Sequence, residues 1–308
     1  MSSFALALAL TALLPVTARE PHRSAMPATV IAASARAADD SLVVSTAWLA
    51  ANFSDPNVVV IEVVDALGKR TDRIPGSREL WYRQMTVSRD SLSSELPSVD
   101  SLKSLFEGLG ISDGSRVVVY AHEAPMATRL LMTLTYIGHD RVSYLDGGMP
   151  QWKAENHPVT QVDGLPSRGA ITVRSRPGMI VSADWITSRQ ATSTLRLIDT
   201  RTLGEYNGTG NRSGMPSAGH LAGARNLEWE WLFREDQPLK LKDRAALLKL
   251  YGDNVAPTDQ VVTYCWVGYR ASATWFAAKV LGFDAKFYDG SYQDWQRRKL
   301  PVTGGVSP

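Results

Sequence analysis

The chain has 308 residues, 44% of them hydrophobic and 21% charged, which is enough for two globular domains of about 150 residues each. The net charge of +2 argues against nucleic acid or an anionic membrane as the main partner. No apolar run reaches the roughly 20 residues of a membrane-spanning helix. The single cysteine, Cys265, excludes an intramolecular disulfide and a cysteine-based zinc site. The five histidines form no close pair, so neither a metal nor another cofactor is expected.

Residues 1–40 are predicted to lie outside the fold. An apolar run at 4–14 is followed by Pro15 and by the small residues 16–18, which is the layout of a secretory signal peptide. The segment before the run has no Lys or Arg, and a second small-residue site lies at 35–37. We expect a periplasmic or secreted protein that is cleaved after Ala18. In such an oxidising compartment, a lone thiol is more often chemical than structural.

An internal repeat organises the rest of the chain. Seven short segments recur in the same order, more than chance explains. The matching pairs are 44–49 with 181–186, 60–63 with 197–200, 74–77 with 221–224, 117–120 with 261–264, 144–148 with 287–291, Trp152 with Trp295, and 158–159 with 301–302. The repeat predicts two domains, 41–159 and 180–304, joined by a linker at 160–179 that contains Pro and Gly.

Each copy of the repeat alternates short strands with helical patterns. The predicted strands are apolar and rich in β-branched residues, and they lie at 58–63, 116–120, 195–198 and 260–264. Helical patterns lie at 98–109, 127–137, 242–251 and 270–281, and a glycine follows each of them. This alternation predicts an α/β fold with two domains, each a parallel sheet with helices on both faces.

Cys265 lies directly after the last predicted strand and shortly before a helix. In an open α/β sheet, ligands bind at this edge, and the N-terminus of the helix favours the thiolate form. Gly268 lets the backbone curl so that several N–H groups converge on one anion, and Arg270 adds a positive charge. The alternative is that Cys265 is a small core residue. The succession of strand, Cys, Gly, Arg and helix favours a reactive thiol.

The spacing between Cys265 and Arg270 bears on the chemistry. Phosphatases of the Cys-x5-Arg type wrap seven positions around a phosphate, whereas this loop has the shorter form Cys-x4-Arg. The tighter loop suits a smaller guest, such as one sulfur atom. Tyr264, and not a histidine, precedes the cysteine. Both features argue against hydrolysis of phosphate esters.

Four motifs in the second copy resemble those of one known family. Residues 264–272 (YCWVGYRAS) are similar to the active loop Cys-x-x-Gly-x-Arg-x-Ser of the rhodaneses. Residues 197–206 (LIDTRTLGEY), 219–226 (GHLAGARN) and 288–295 (YDGSYQDW) resemble three further rhodanese motifs. The chain therefore resembles a tandem rhodanese, a sulfurtransferase with two rhodanese-like domains, over about residues 42–303.

The resemblance implies transfer of a sulfur atom in two steps. The thiolate of Cys265 would take the sulfane sulfur of a small anionic donor such as thiosulfate, and a persulfide would pass it to cyanide or a thiol. Arg270 would orient the donor, and backbone N–H groups of the loop would hold the persulfide. The other expected substrate-binding residues are Trp266, Val267, Gly268 and Tyr269, of which the two aromatic residues form either a rim or an interdomain contact.

The sequence also departs from the family pattern. Trp266 and Val267 are neutral where some thiosulfate-preferring members have basic residues, and the loop lacks the Cys-Gly-x-Gly-Val-Thr character of mercaptopyruvate enzymes. Those enzymes also have an arginine where Glu205 stands. Mercaptopyruvate is therefore not the expected donor. Two other functions stay open: a persulfide-carrying module without turnover and, disfavoured by the loop length, an arsenate reductase or phosphatase-like enzyme.

The first copy has lost the nucleophile, because Ala121 stands at the position of Cys265. We expect this half to be a scaffold that forms one wall of a binding cleft between the domains, since binding pockets prefer domain interfaces. Arg73, Arg78 or Arg129 could contribute charge from it, and the sequence does not choose among them. In the second copy, structural roles are expected for His220, Asp199 and Arg201.

Overall fold

The first half of the chain forms one parallel sheet and a hairpin. The computed structural model describes residues 42–67, 72–210, 219–252, 255–256 and 258–304, and the predicted signal peptide lies outside them. The strands are β1 (Val43–Val44), β2 (Val58–Val64), β3 (Arg78–Trp81), β4 (Val87–Arg89), β5 (Leu92–Glu95), β6 (Arg116–Ala121) and β7 (Val142–Leu145). The sheet has the order β1-β7-β6-β2-β3 with all pairs parallel, and β4 pairs with β5 in the hairpin.

Four helices accompany this first sheet. They are α1 (Thr46–Asn52), α2 (Val99–Gly108), α3 (Ala124–Tyr136) and α4 (Gly148–Ala154), and a 3-10 helix spans Tyr82–Met85. The hydroxyls of Ser45 and Ser98 cap α1 and α2 by accepting backbone N–H groups. Helix α3 begins three residues before its predicted start, because Pro125 is well suited to the first turn of a helix.

The second half repeats this architecture. Its strands are β8 (Leu195–Asp199), β9 (His220–Leu221), β10 (Ala224–Asn226), β11 (Gln260–Tyr264), β12 (Asp284–Phe287) and β13 (Val302–Thr303). Four of them form a parallel sheet in the order β10-β8-β11-β12, and Ile180 extends it by a parallel bridge to Phe287. The helices are α5 (Ala183–Thr187), α6 (Leu203–Asn207), α7 (Arg244–Tyr251), α8 (Ala271–Leu281) and α9 (Ser291–Arg297). The predicted fold class is confirmed.

The segment between the two sheets packs against the first half. Arg73 and Thr160 form an antiparallel bridge, and the N–H of Gly169 donates to the carbonyl of Glu107 at 2.8 Å. The Lys103 ammonium donates to the carbonyl of Ile171 at 2.8 Å. These contacts hold the predicted linker on the surface of the first domain.

Equivalent residues make equivalent hydrogen bonds in the two halves. The indole of Trp152 donates to the carbonyl of Pro158 at 2.7 Å, and the indole of Trp295 donates to that of Pro301 at 2.9 Å. Both indoles are buried in the cores of their domains. The structural repeat therefore extends to individual side-chain hydrogen bonds. This gives a structural reason for the tryptophan and the proline that recur in both halves.

A shared core joins the halves. Helices α3 and α8 pack together, and one cluster of buried apolar side chains contains residues of both. Within the described residues no helix has the length and apolarity needed to cross a bilayer. Across the same residues no group of three or more His, Cys, Asp or Glu side chains is arranged to hold a metal ion.

Candidate active site

Cys265 lies at the carboxyl end of β11, the central strand of the second sheet. Its side chain is a free thiol and only 1% exposed. Its N–H donates to Oγ of Ser291 at 3.3 Å, and its carbonyl accepts the N–H of Tyr292 at 3.0 Å. The start of α9 therefore fixes the backbone of Cys265 from one side. Such burial is typical of a core cysteine, whereas reactive cysteines are usually partly exposed, so the case for a nucleophile rests on the loop and the helix that follow.

The loop after Cys265 curls at Gly268 and ends at the N-terminus of α8. Gly268 has a φ of +80°, in the left-handed region, which gives the turn that the sequence analysis anticipated. Trp266 and Val267 are half-buried, and Arg270 is the residue from which α8 begins. The loop thus brings the thiol to the N-terminus of an eleven-residue helix, where the helix dipole favours negative charge.

Arg270 forms a buried, bidentate ion pair with Glu205. Nη1 lies 2.7 Å from Oε2 of Glu205, and Nη2 lies 2.8 Å from Oε1. Burial alone would raise the pKa of Glu205, but Arg270 and the hydroxyl and N–H of Thr202 lower it to about 2. From the sequence, Glu205 was noted as part of the motif at 197–206 and as a difference from mercaptopyruvate enzymes, without a role at the site. A usable signal was present, because Thr202 and Glu205 have the spacing of a capping box, which the structure contains.

The two aromatic residues of the loop have different surroundings. Tyr269 reaches the first domain, where its hydroxyl donates to Oε2 of Glu123 at 2.8 Å and its ring meets that of Tyr82 edge-on at 5.1 Å. Burial, followed by the charge of Glu123, raises the pKa of Tyr269. Trp266 instead packs against Tyr292 of its own domain, with ring centroids 5.3 Å apart. Of the two alternatives for Tyr269, the structure thus shows an interdomain contact.

Arg129 is the arginine that the first domain brings to the loop. It projects from α3, is fully buried, and donates from Nη2 to Oδ1 of Asp289 at 2.8 Å and to the carbonyl of Ser94 at 2.9 Å. The other two candidates stay within their own half. Arg73 donates to Glu79 at 2.7 Å, and Arg78 donates to the carbonyl of Leu109.

Tyr82 is a neighbour of the loop that the sequence analysis did not single out. It lies in the 3-10 turn after β3, its hydroxyl is 3.1 Å from Oγ of Ser94, and burial raises its pKa. No motif marks this residue. Its place beside Tyr269 depends on how the two domains dock, which local sequence patterns do not encode.

The remaining polar residues of the second-domain motifs hold loops together. Asp199 and Arg201 are fully buried and joined at 2.6 Å, and Arg201 also donates to the carbonyl of Gly219 at 2.8 Å. Nδ1 of His220 lies 2.9 Å from the carbonyl of Tyr206, and the two rings stack at 3.6 Å. These contacts match the structural roles expected for Asp199, Arg201 and His220.

The equivalent edge of the first sheet has a different character. Ala121 ends β6 and lines a cavity of about 460 Å³. Four carboxylates share this cavity, together with Lys153: Glu62, Asp65, Asp72 and Glu79. The position of the missing thiol therefore shares a cavity with several carboxylates, of which Glu79 is paired with Arg73 and Asp72 with Lys153.

Comparison with known proteins gives one consistent family. The family described as rhodanese-like domain matches residues 45–155 and 182–298. The chain is 29% identical to the thiosulfate sulfurtransferase of Azotobacter vinelandii over 257 residues, 82% of this chain and 93% of the relative. It is 31% identical to the sulfur carrier protein TtuD of Thermus thermophilus over 279 residues, 84% of this chain and 94% of the relative.

Solved structures agree with this result at the level of the fold. The crystal structure of the 3-mercaptopyruvate sulfotransferase SseA from Escherichia coli superimposes with a TM-score of 0.69 at 23% identity. The similarity covers 81% of this chain and 98% of that one. The fold of most of this chain thus has an experimental counterpart.

Proposed function

The chain belongs to the rhodanese-like domain family, and from this premise we propose that it transfers the sulfane sulfur of thiosulfate to cyanide or a thiol through a persulfide on Cys265. The observation that carries the proposal is the place of this thiol. Cys265 lies between the central strand β11 and the N-terminus of α8, in a loop that turns on Gly268. That position supports a nucleophile that must be held as an anion.

The first half-reaction forms the persulfide. The Cys265 thiolate attacks the outer sulfur of thiosulfate, and a bond forms between that sulfur and Sγ. The bond between the outer sulfur and the sulfonate sulfur breaks, and its electron pair leaves with sulfite. Three negative charges enter the step and three leave it, shared between the persulfide anion and sulfite.

The second half-reaction returns the free enzyme. Cyanide attacks the outer sulfur of the persulfide, thiocyanate leaves, and the electron pair of the broken bond restores the Cys265 thiolate. A thiol acceptor would leave as a persulfide by the same route. No external oxidant or reductant is consumed, because the sulfur moves between two sulfur nucleophiles or from sulfur to cyanide.

Arg270 and the loop support the anionic states of both steps. The N–H groups at the start of α8 face the loop, and the helix dipole favours negative charge there. The pair with Glu205 fixes the guanidinium of Arg270 at the first turn of this helix. In this proposal Arg270 orients the donor, and Trp266, Val267, Gly268 and Tyr269 shape the space around it.

A second candidate function is persulfide carriage without turnover. Two observations favour it: the sulfur carrier TtuD is among the relatives, and the thiol of Cys265 is only 1% exposed. A carrier would form the persulfide and release it only to a partner protein. Release to free cyanide separates the two candidates.

Export is part of the proposal. The apolar run at 4–14 and the small residues before position 19 support a signal peptide that directs the protein to the periplasm or the medium. N-terminal sequencing of the mature protein tests this. A mature N-terminus at Arg19 in an exported fraction is expected, and an intact N-terminus in the cytoplasm would contradict it.

Intact mass spectrometry tests the chemistry. After incubation with thiosulfate, the protein should gain the mass of one sulfur atom and lose it on addition of cyanide, with one thiocyanate formed. The matched control is Cys265→Ser, which should keep its fold and gain nothing. Sulfur gained by the serine variant would rule out the mechanism. A persulfide that forms on the wild type and resists cyanide would favour the carrier.

A further inference from the structure

Arg129 is a buried cation whose hydrogen-bonding capacity is only partly used. Its side chain is 0% exposed, and among the described residues its hydrogen bonds come from Nη2 alone, to the carboxylate of Asp289 and the carbonyl of Ser94. Nε and Nη1 make no hydrogen bond within the described part of the chain. Guanidinium donors that are buried without a partner are costly, so they call for an explanation.

The free side of Arg129 faces the catalytic loop. Nη1 lies 3.1 Å from the position that a Cβ atom on Gly268 would occupy. The guanidinium also lies 5.0 Å above the ring of Phe287, the last residue of β12. Burial on its own would lower the pKa of Arg129, but the charge and the hydrogen bond of the Asp289 carboxylate raise it. The group is therefore charged at every physiological pH.

The charge balance around the loop distinguishes Arg129 from Arg270. Both terminal nitrogens of Arg270 donate to the two oxygens of Glu205, so that carboxylate offsets part of the charge that Arg270 presents to a donor. Arg129 meets Asp289 through one nitrogen only. Thiosulfate brings a charge of minus two and three sulfonate oxygens. Arg129 has the unpaired donors that such oxygens require.

We propose that Arg129, a residue of the non-catalytic domain, binds the sulfonate oxygens of the sulfur donor and makes the site selective for donors with a dianionic sulfonate. This inference rests on the proposed function and extends it to the donor-binding group. It gives the first domain a direct part in the reaction, because α3 carries the side chain across the interface to the loop of the second domain.

The competing interpretation is that Arg129 only ties the domains together. Its bonds to Asp289 and Ser94 do join the two halves, and that role alone would justify a buried arginine. Asp289→Asn is therefore the matched control. It weakens the same ion pair from the other side and leaves the guanidinium in place.

Steady-state kinetics with two donors separates the interpretations. Thiosulfate and an alkanethiosulfonate both deliver a sulfane sulfur bonded to a sulfonyl group, but the second carries one negative charge less. Arg129→Gln should raise the KM for thiosulfate roughly ten- to hundredfold, the loss expected for a charged hydrogen bond of about 1.5–3 kcal/mol. The KM for the alkanethiosulfonate should change less than about threefold, and Arg129→Lys should recover part of the thiosulfate affinity.

Asp289→Asn should keep the wild-type ratio of the two KM values, even if it lowers stability. Equal KM increases for both donors in Arg129→Gln, shared by Asp289→Asn, would overturn the proposal in favour of a tether. Unchanged KM values in Arg129→Gln would also overturn it.

A binding measurement keeps the inference independent of turnover. Sulfite, the product of the first half-reaction, can be titrated into Cys265→Ser protein and followed by calorimetry. Adding Arg129→Gln should weaken sulfite binding at least about tenfold. Equal sulfite affinity of Cys265→Ser and of the double variant would refute the role of Arg129. So would a failure of Cys265→Ser to bind sulfite. Sulfite binding that needs Arg129, together with a wild-type protein that gains no sulfur from thiosulfate, would support the anion site and count against the proposed function.

Discussion

Thr128 and Ser272 stand at equivalent positions of the two repeats and touch each other, with their hydroxyl oxygens 2.9 Å apart. Thr128 lies seven residues after Ala121, and Ser272 lies seven residues after Cys265. Helices α3 and α8 therefore cross at matching points, as the halves of a two-fold related pair do. The Ser272 hydroxyl also lies 2.8 Å from the carbonyl of Tyr269, so the contact anchors the loop after Cys265 to the first domain.

This contact should be measurable as a coupling energy. Thr128→Val and Ser272→Ala each remove one hydroxyl from the interface and change little volume. Urea unfolding of both variants and of the double variant should give a coupling of about 1 kcal/mol, the usual net value of a buried hydrogen bond. Strict additivity of the two losses would show that the hydroxyls do not interact.

Gly268→Ala should harm both stability and donor binding. An alanine at this position would have to adopt a φ of +80°. Its Cβ atom would lie 3.1 Å from Nη1 of Arg129 and from the carbonyl oxygen of Asp289. The conformational cost alone is about 1–2 kcal/mol. Gly223→Ala is the control, because Gly223 has a φ of +77° with no atom near its Cβ position.

Chemical unfolding measures the first effect, and the KM for thiosulfate measures the second. Gly268→Ala should lose more stability than Gly223→Ala, and only the former should raise the KM. If both variants lose the same amount and keep the wild-type KM, the contact with Arg129 has no influence on the loop.

Glu205→Gln should destabilise the protein strongly at neutral pH. The substitution leaves the buried guanidinium of Arg270 without its counter-charge, and breaking one side of such a pair costs about 3–5 kcal/mol. The pKa of Glu205 is lowered from 4.5 to about 2. Its contribution is therefore present above pH 4.5 and is lost as the pH falls toward 2.

Urea unfolding at a series of pH values checks this. The stability difference between wild type and Glu205→Gln should be largest at pH 7 and shrink in the interval from about 4.5 down to 2. A difference that stays constant through this interval would mean that the ion pair is not its source.

Glu95→Gln should stabilise the protein in mild alkali. Burial, followed by the charge of Asp289, raises the pKa of Glu95 from 4.5 to about 7. The folded state thus binds this proton more tightly than the unfolded chain does. Stability linked to Glu95 is full below pH 4.5 and is lost as the pH rises through about 7.

The glutamine variant removes this titration, so it should be more stable than the wild type at pH 8 and closer to it at pH 5. Urea unfolding at both pH values provides the measurement. A gain that is equal at the two values would indicate a packing effect and not the ionisation of Glu95.

Ala121→Cys, combined with Cys265→Ser, should not create a sulfurtransferase in the first domain. The new thiol would end β6 as Cys265 follows β11, so its placement is roughly right. Its surroundings are wrong, because carboxylates line the cavity, Pro125 lacks an N–H, and Met126 stands where Arg270 supplies a positive charge.

We expect less than about one tenth of wild-type thiocyanate formation, a difference in barrier of at least about 1.4 kcal/mol. Alkylation of the thiol in the same variant confirms that it is accessible. Activity within tenfold of the wild type would show that a thiol at this edge is sufficient without the loop that surrounds Cys265.

The sequence by itself predicted most of the secondary structure and the repeat of this protein. The two parallel sheets, the four long helices and the place of Cys265 between a strand and a helix follow from periodicity, and they agree with the structure within three residues at each end. The repeat also pointed to paired features such as Trp152 and Trp295, which make the same hydrogen bond in both halves. These properties depend on neighbours within a few turns or strands, which a sequence displays directly.

Which charged side chains lie next to one another was decided by the tertiary structure alone. Arg270 finds Glu205 across 65 residues, and Arg129 reaches the loop that holds Gly268 only because α3 and α8 dock. The sequence offered three arginines of the first half and no reason to prefer one. The reason is physical: a buried ion pair or an unpaired donor is a property of the space enclosed by several elements, and no periodic pattern of one element records which side chains will share that space.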